Sequence, residues 1–172
     1  SGPVLSLAVQ SDGKLLAGGL FSELAGQSRN YLGRLYSDGS LDATLNPGEE
    51  QTIECVALQT NDKILIGGTF TRLAGLTRTN LGQLESNGAL DAAFHPALDG
   101  PVTALALQAG GKILVGGEFT GLEGELRNNL GRLNSDGSLD DAFVADADGP
   151  VHCLVVQTNG QVLVGGRRTT SI

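Results

Sequence analysis

Val4, Ile53, Val102 and Val151 open four similar apolar runs, each standing 49 residues after the last. The glycine pairs Gly18-Gly19, Gly67-Gly68, Gly116-Gly117 and Gly165-Gly166 keep that interval. So do Phe21, Phe70 and Phe119, then Arg29, Arg78 and Arg127, then Asp42, Asp91 and Asp140. A register held over three copies without insertion or deletion restricts the chain to repeat architectures. In these, one supersecondary unit buries its apolar face against its neighbours.

Each unit reads as four strands. An apolar run such as Val102 to Gln108 (VTALALQ) leads to a turn at Asp12-Gly13 or Gly110-Gly111, where glycine accepts the left-handed backbone a hairpin needs. A second strand, Lys112 to Gly116, is followed by a connection of about a dozen residues containing Thr120 to Asn128. Asn129 to Asn134 reads as a third strand. After Asp136-Gly137, Leu139 to Phe143 reads as a fourth. No window keeps a 3.6-residue apolar period without a glycine interrupting it, so helix is disfavoured.

The first strand is apolar on both faces, as a strand buried from both sides is, and the later ones carry Arg34, Gln83 and Arg132 at one position. A four-stranded unit of this length, buried at its first strand and wetter at its last, predicts an all-β propeller of antiparallel blades. The blades are 2–50, 51–99 and 100–148, with a half blade at 149–166 and a tail at 167–172 that departs from the pattern. Only two strands of the fourth copy are expected, as in a truncation or a junction.

The third copy reads GGKILVGGEFTGLEGELRNNLGRLNSDGSLDDAF and resembles the delta-60 propeller repeat. That resemblance covers residues 2 to 166. It implies a bacterial secreted or cell-surface origin and no particular activity. Asn61-Asp62 in place of the first-turn glycine and Tyr31 in place of Asn80 and Asn129 are modest departures.

Composition narrows the partners. The 172 residues include 26 Gly and no Trp or Met, and 4% are aromatic, so the core must be aliphatic. A net charge of −8 is the wrong sign for binding a phosphate backbone, so no nucleic acid is expected. No apolar run approaches the ~20 residues of a membrane helix, so no membrane insertion is expected. The start, Ser1-Gly2-Pro3, carries no signal-peptide pattern. Cys55 and Cys153 share a repeat position for a small side chain and are too far apart in the ring to pair.

Three and a half blades form an open arc, whereas closed rings take about 4–8 blades. The chain is therefore expected to self-associate, as a homodimer or a higher homo-oligomer, with apolar faces and the Val162–Gly166 edge exposed until it does. A symmetric pair requires six or eight blade positions.

In a propeller the links between blades gather around the central channel. Here they carry Glu49, Glu50, Asp99 and Asp148, a candidate carboxylate set for a divalent cation such as calcium or zinc. The second residue of each first strand is Leu5, Glu54, Thr103 or His152. It is the least repetitive inner-strand position, making Glu54 and Thr103 candidate binding groups and His152 a candidate base or ligand. Solvated acidic turns are the plainer alternative. Arg29, Arg78 and Arg127 are either a guanidinium ring for an anion or one structural brace per blade, and repetition favours the brace.

Three functions follow. The first is a self-associating scaffold presenting loops to a protein, glycan or small-molecule ligand. The second is a promiscuous metal-dependent phosphoester or ester hydrolase at the acidic channel mouth, by fold-level analogy. The third is an inactive fragment of a larger bacterial surface protein.

Overall fold

The computed structural model describes residues 2–48 and 51–167. The first unit holds β1 (Val4–Val9), β2 (Leu15–Gly19), β3 (Glu23–Leu24), β4 (Gln27–Ser28) and β5 (Leu32–Leu35). The second repeats it as β6 (Ile53–Leu58), β7 (Ile64–Gly68), β8 (Arg72–Leu73), β9 (Leu76–Thr77) and β10 (Leu81–Leu84). The third follows as β11 (Val102–Leu107), β12 (Ile113–Gly117), β13 (Gly121–Leu122), β14 (Glu125–Leu126) and β15 (Leu130–Leu133). The last described unit is the pair β16 (Val151–Val156) and β17 (Val162–Gly166).

Three antiparallel sheets, β1-β2-β5, β6-β7-β10 and β11-β12-β15, stand side by side with the β16-β17 pair. Their inner strands β1, β6, β11 and β16 pack against one another in chain order, so the units are successive blades. Asn and Asp close the turns through their own side chains. Asp12, Asn61 and Asn159 accept the amides of Lys14, Lys63 and Gln161, and Asp38, Asn87 and Asp136 accept those of Ser40, Ala89 and Ser138. Such local bonds favour a turn over continued ladder.

The structure departs from the sequence expectation in two places. The connection between second and third strands contains a two-stranded hairpin, β3-β4, β8-β9 or β13-β14. Its turn pairs Ala25-Gly26, Ala74-Gly75 and Glu123-Gly124 all have positive φ, as a two-residue hairpin loop requires. Alanine and glutamate seldom adopt that backbone, which hid the hairpin. Replacing exposed Ala25, at φ 50°, by asparagine is expected to stabilise the chain by about 1 kcal/mol, measured by thermal denaturation.

The fourth strand is the second departure. It reduces to single bridges, Leu35 with Leu41, Leu84 with Leu90 and Leu133 with Leu139. The next residue, Asp42, Asp91 or Asp140, turns its carboxylate onto the amide two residues ahead, in Thr44, Ala93 or Ala142. That bond diverts the backbone out of the ladder.

The core lies between blades and is aliphatic around fully buried Phe21, Phe70, Phe94 and Phe119. Leu16 of blade 1 meets Ile53, Val56, Ile64 and Ile66 of blade 2. Leu65 of blade 2 meets Val102, Ile113 and Val115 of blade 3. The first glycine of each pair makes this fit: a Cβ on Gly18, Gly67 or Gly116 would stand 2.5–2.6 Å from a methyl of Ile53, Val102 or Val151 on the following blade.

The two ends lack such cover among the described residues. Val4, the counterpart of fully buried Ile53 and Val102, is 45% exposed, and Leu7 and Val9 of the same face are exposed too. At the other end Leu163, the counterpart of fully buried Leu16, Leu65 and Leu114, is 55% exposed, and Val155 is also open. A Cβ on Gly165 would meet only the Cys153 sulfur.

Candidate functional site

The inner-strand position singled out in the sequence has a common geometry. Val4 pairs with Gly19 and Ser6 with Gly18, leaving Leu5 without a partner residue. The same shift recurs between Ile53 and Cys55, Val102 and Ala104, and Val151 and Cys153. Leu5, Glu54, Thr103 and His152 are therefore bulge residues, and a bulge re-aims a side chain and is common beside functional sites. Periodicity alone cannot show it, because an extra residue in one strand is visible only against its partner.

These four residues differ in surroundings. The Thr103 hydroxyl donates to the Val151 carbonyl of the next inner strand, tying blade 3 to the half blade. Glu54 is half-buried, and His152 and Leu5 are exposed. Blades 1 and 2 are tied similarly, with the Val56 amide donating to Ser6 Oγ at 3.0 Å.

Of the carboxylates proposed for a cation, Asp99 and Asp148 lie among the described residues. Asp99 Oδ1 accepts the Thr120 and Gly121 amides, each at 2.9 Å, and Oδ2 accepts the Thr120 hydroxyl. The Thr120 hydroxyl bond leads in holding the Asp99 carboxyl below the usual range. Asp99 thus fastens the link to blade 3. Asp148 is exposed, and Glu49 and Glu50 lie outside the described residues. Among the described residues no three His, Cys, Asp or Glu side chains converge as a metal site would require.

The three repeated arginines hold carbonyls of their own blades. Arg29 donates to Leu45 O at 3.0 Å, Arg78 to Thr77 O and Ala92 O, and Arg127 to Leu126 O. Each strand glycine beneath, Gly33, Gly82 or Gly131, is covered by the hairpin leucine Leu24, Leu73 or Leu122. Hairpin and arginine together clamp the third strand.

A second polar system, at the opposite ends of the inner strands, forms the most buried charge among the described residues. Arg34 Nε donates to Asp42 at 2.9 Å, Nη2 to Thr44 Oγ1, and Nη1 to Ser86 O of blade 2 at 2.6 Å. Both partners of the ion pair are almost fully buried. Burial pushes the Asp42 carboxyl up, but hydrogen bonds from Thr44 and Arg34 outweigh it and hold it at about 2. Blade 3 repeats the arrangement with Arg132, Asp140 and Gln108. Blade 2 substitutes Gln83 to Gln59, with Lys63 on Asp91 at 2.6 Å.

A concavity of about 760 Å³ lies between blades 2 and 3 and is lined by Thr77, Arg78, His95, Leu98, Thr120 and Leu126 among others. Sequence reasoning missed it, because hairpins β8-β9 and β13-β14 build its walls. Leu98 reaches it by bridging to Leu122.

Residues 10–45, 59–94 and 108–143 each match the model of a β-propeller domain of unknown function, DUF5122. The chain belongs to this family. Each DUF5122 match begins at the glutamine just after the inner strand and ends at Leu45, Phe94 or Phe143, so it covers one second strand, hairpin, third strand and terminal turn. No curated protein matches the chain. Among solved structures, a streptogramin B lyase superposes with a TM-score of 0.64 at 14% identity, over 95% of this chain and 48% of that one. Virginiamycin B lyase from Staphylococcus aureus superposes with a TM-score of 0.59 at 12% identity and the same coverage. Likeness at this identity establishes the propeller fold, and the chain spans about half the length of both lyases.

Proposed function

We propose that this DUF5122 chain is a self-associating propeller scaffold, in which a second copy docks head to tail and completes the ring. One observation carries the proposal: the uncovered faces at the two ends match the two halves of the internal blade interface. Inside the chain, Ile53, Val102 and Val151 sit on Gly18, Gly67 and Gly116. Val4 is the same knob without its glycine, and Gly165 the same hollow without its knob. Two copies together also have about the length of one lyase chain. Docking on Gly165 keeps each half blade in its place, giving eight blade positions with four-stranded character only where the bridge at Leu41, Leu90 or Leu139 forms. The assembled channel rim presents Leu5, Glu54, Thr103 and His152 from each copy to a protein, glycan or small-molecule ligand.

Cys153 reports docking. Its repeat counterpart Cys55 is buried beneath blade 3, with its sulfur 3.8 Å from Val102 O, and burial pushes that thiol far up. Cys153 is exposed. Light scattering is expected to give twice the chain mass, with Cys153 reacting with a thiol reagent only on dilution. Leu7→Glu is expected to yield a folded monomer with Cys153 open at every concentration, and Gly165→Val a folded monomer by light scattering. A wild-type monomer with freely reactive Cys153 at high concentration would remove the proposal.

A further inference from the structure

We propose that the groove between blades 2 and 3 at Gln83 is a binding site for a guanidinium group, with Asp91 as its countercharge. The groove measures about 460 Å³ and is lined by Gln59, Lys63, Gln83, Asp91, Ser135 and Asp136 among others. It lies within one copy, at the ends of the inner strands away from Leu5, Glu54, Thr103 and His152. The site therefore stands apart from ring closure.

The neighbouring interface shows what such a groove holds. Between blades 1 and 2, Arg34 Nε donates to Asp42, and Nη1 to Gln10 Oε1 at 3.4 Å and Ser86 O at 2.6 Å. The space left beside that arginine is about 300 Å³. One repeat further on, the three acceptors recur as Asp91, Gln59 and Ser135, but Gln83 replaces the arginine. The shorter Gln83 side chain stops at Gln59, its Nε2 donating to Gln59 Oε1 at 2.7 Å. Among the described residues nothing donates to Ser135 O. The acceptors of an interblade guanidinium are thus kept while the guanidinium itself is missing.

Charge follows the same pattern. Losing the arginine removes a positive charge, and Glu85 adds a negative one where blades 1 and 3 have Tyr36 and Asn134. Lys63 bonds both Asp91 and Glu85, at 2.6 and 2.9 Å, so one cation faces two carboxylates. The lysine does not close the site. In blade 3, Asp140 Oδ2 holds Lys112 at 2.9 Å and Arg132 at 2.8 Å together. Asp91 and Gln59 are half-buried and Ser135 is exposed, so the acceptors open to solvent. A planar guanidinium spans several such acceptors at once, which a compact ammonium does not.

Butylguanidinium and butylammonium, which carry the same charge on the same stem, test the site by amide NMR titration of the full chain. Butylguanidinium is expected to shift the Gln83, Asp91 and Ser135 amides saturably and to bind about tenfold more tightly than butylammonium. Gln83→Arg, which supplies the guanidinium from within, is expected to stay folded and bind butylguanidinium about tenfold more weakly. Glu85→Asn, with the residue of blade 3, is expected to bind about threefold more weakly through the lost surface charge. A capped Gly-Arg-Gly tripeptide identifies the source. Tighter binding than butylguanidinium points to an arginine of a polypeptide and weaker binding to a small guanidine, and either order supports the site. No saturable shift at those amides, equal binding of the two butyl cations, or unchanged binding by both variants would overturn the proposal.

Discussion

Replacing Asp42 by alanine is expected to destabilise the protein by about 3–5 kcal/mol, the range for stranding one member of a buried ion pair. Arg34 would keep its bond to Ser86 O but lose its countercharge, with almost no water to replace it. Lys14 Nζ, 3.7 Å from Asp42, would add repulsion to the loss. The same group sets an acid limit. Its folded pKa, at about 2, lies below the unfolded value of about 3.9. The stability it contributes, about 2 kcal/mol, is therefore complete above roughly pH 5 and lost as pH falls towards 2. Asp91 and Asp140 are lowered too, which steepens the loss. Urea denaturation at pH 7 and pH 3 checks both statements, because the Asp42→Ala chain should show a shallower acid decline. An unchanged midpoint at pH 7 would mean that the pair adds nothing net.

Gly117→Ala is expected to be at least as damaging, at about 4 kcal/mol or more. Gly116 and Gly117 are adjacent yet conformationally ordinary, and what they require is space. A Cβ on Gly116 would press the side chains of Val151 and Leu154 on the following blade, which can shift more readily than backbone. A Cβ on Gly117 would lie 2.0 Å from the Pro101 carbonyl oxygen, which also accepts the Glu118 amide. Both are backbone, so relief requires parting the inner two strands of blade 3. Gly165→Ala is the contrasting case within one chain, since it meets only the exposed Cys153 side chain, and in the undocked Leu7→Glu chain it should leave the melting temperature within a degree or two. Thermal melts of the three variants rank them, and equal losses at positions 116 and 117 would contradict the distinction.

Much of this was legible in the residues. The 49-residue period exposed the blades, because stacked repeats must present the same apolar positions at the same interval. The Gly-containing turns and first three strands follow from alternation and from Asp and Asn beside glycine. The hairpins did not show, because Ala25, Ala74 and Glu123 occupy backbone that normally announces itself with Asn or Gly. The fourth strand was overread, because Leu139 to Phe143 has strand composition and only the Asp140 side-chain bond to Ala142 reveals its early end.

The candidate site was legible only in part. Leu5, Glu54, Thr103 and His152 stand out by their variation, yet the bulge that distinguishes them depends on the glycine pair across the ladder. Asp99 is a candidate ligand by sequence because it stands in an acidic link, and folding brings the Thr120 and Gly121 amides to it. Residue order alone determined the repeat and its strand composition, because these rest on periodicity along one chain. Which glycine receives which knob and which carboxylate fastens a link were decided only in three dimensions. Those properties belong to pairs of residues about 20 to 50 positions apart, and only the stacking of one blade on the next brings them within reach.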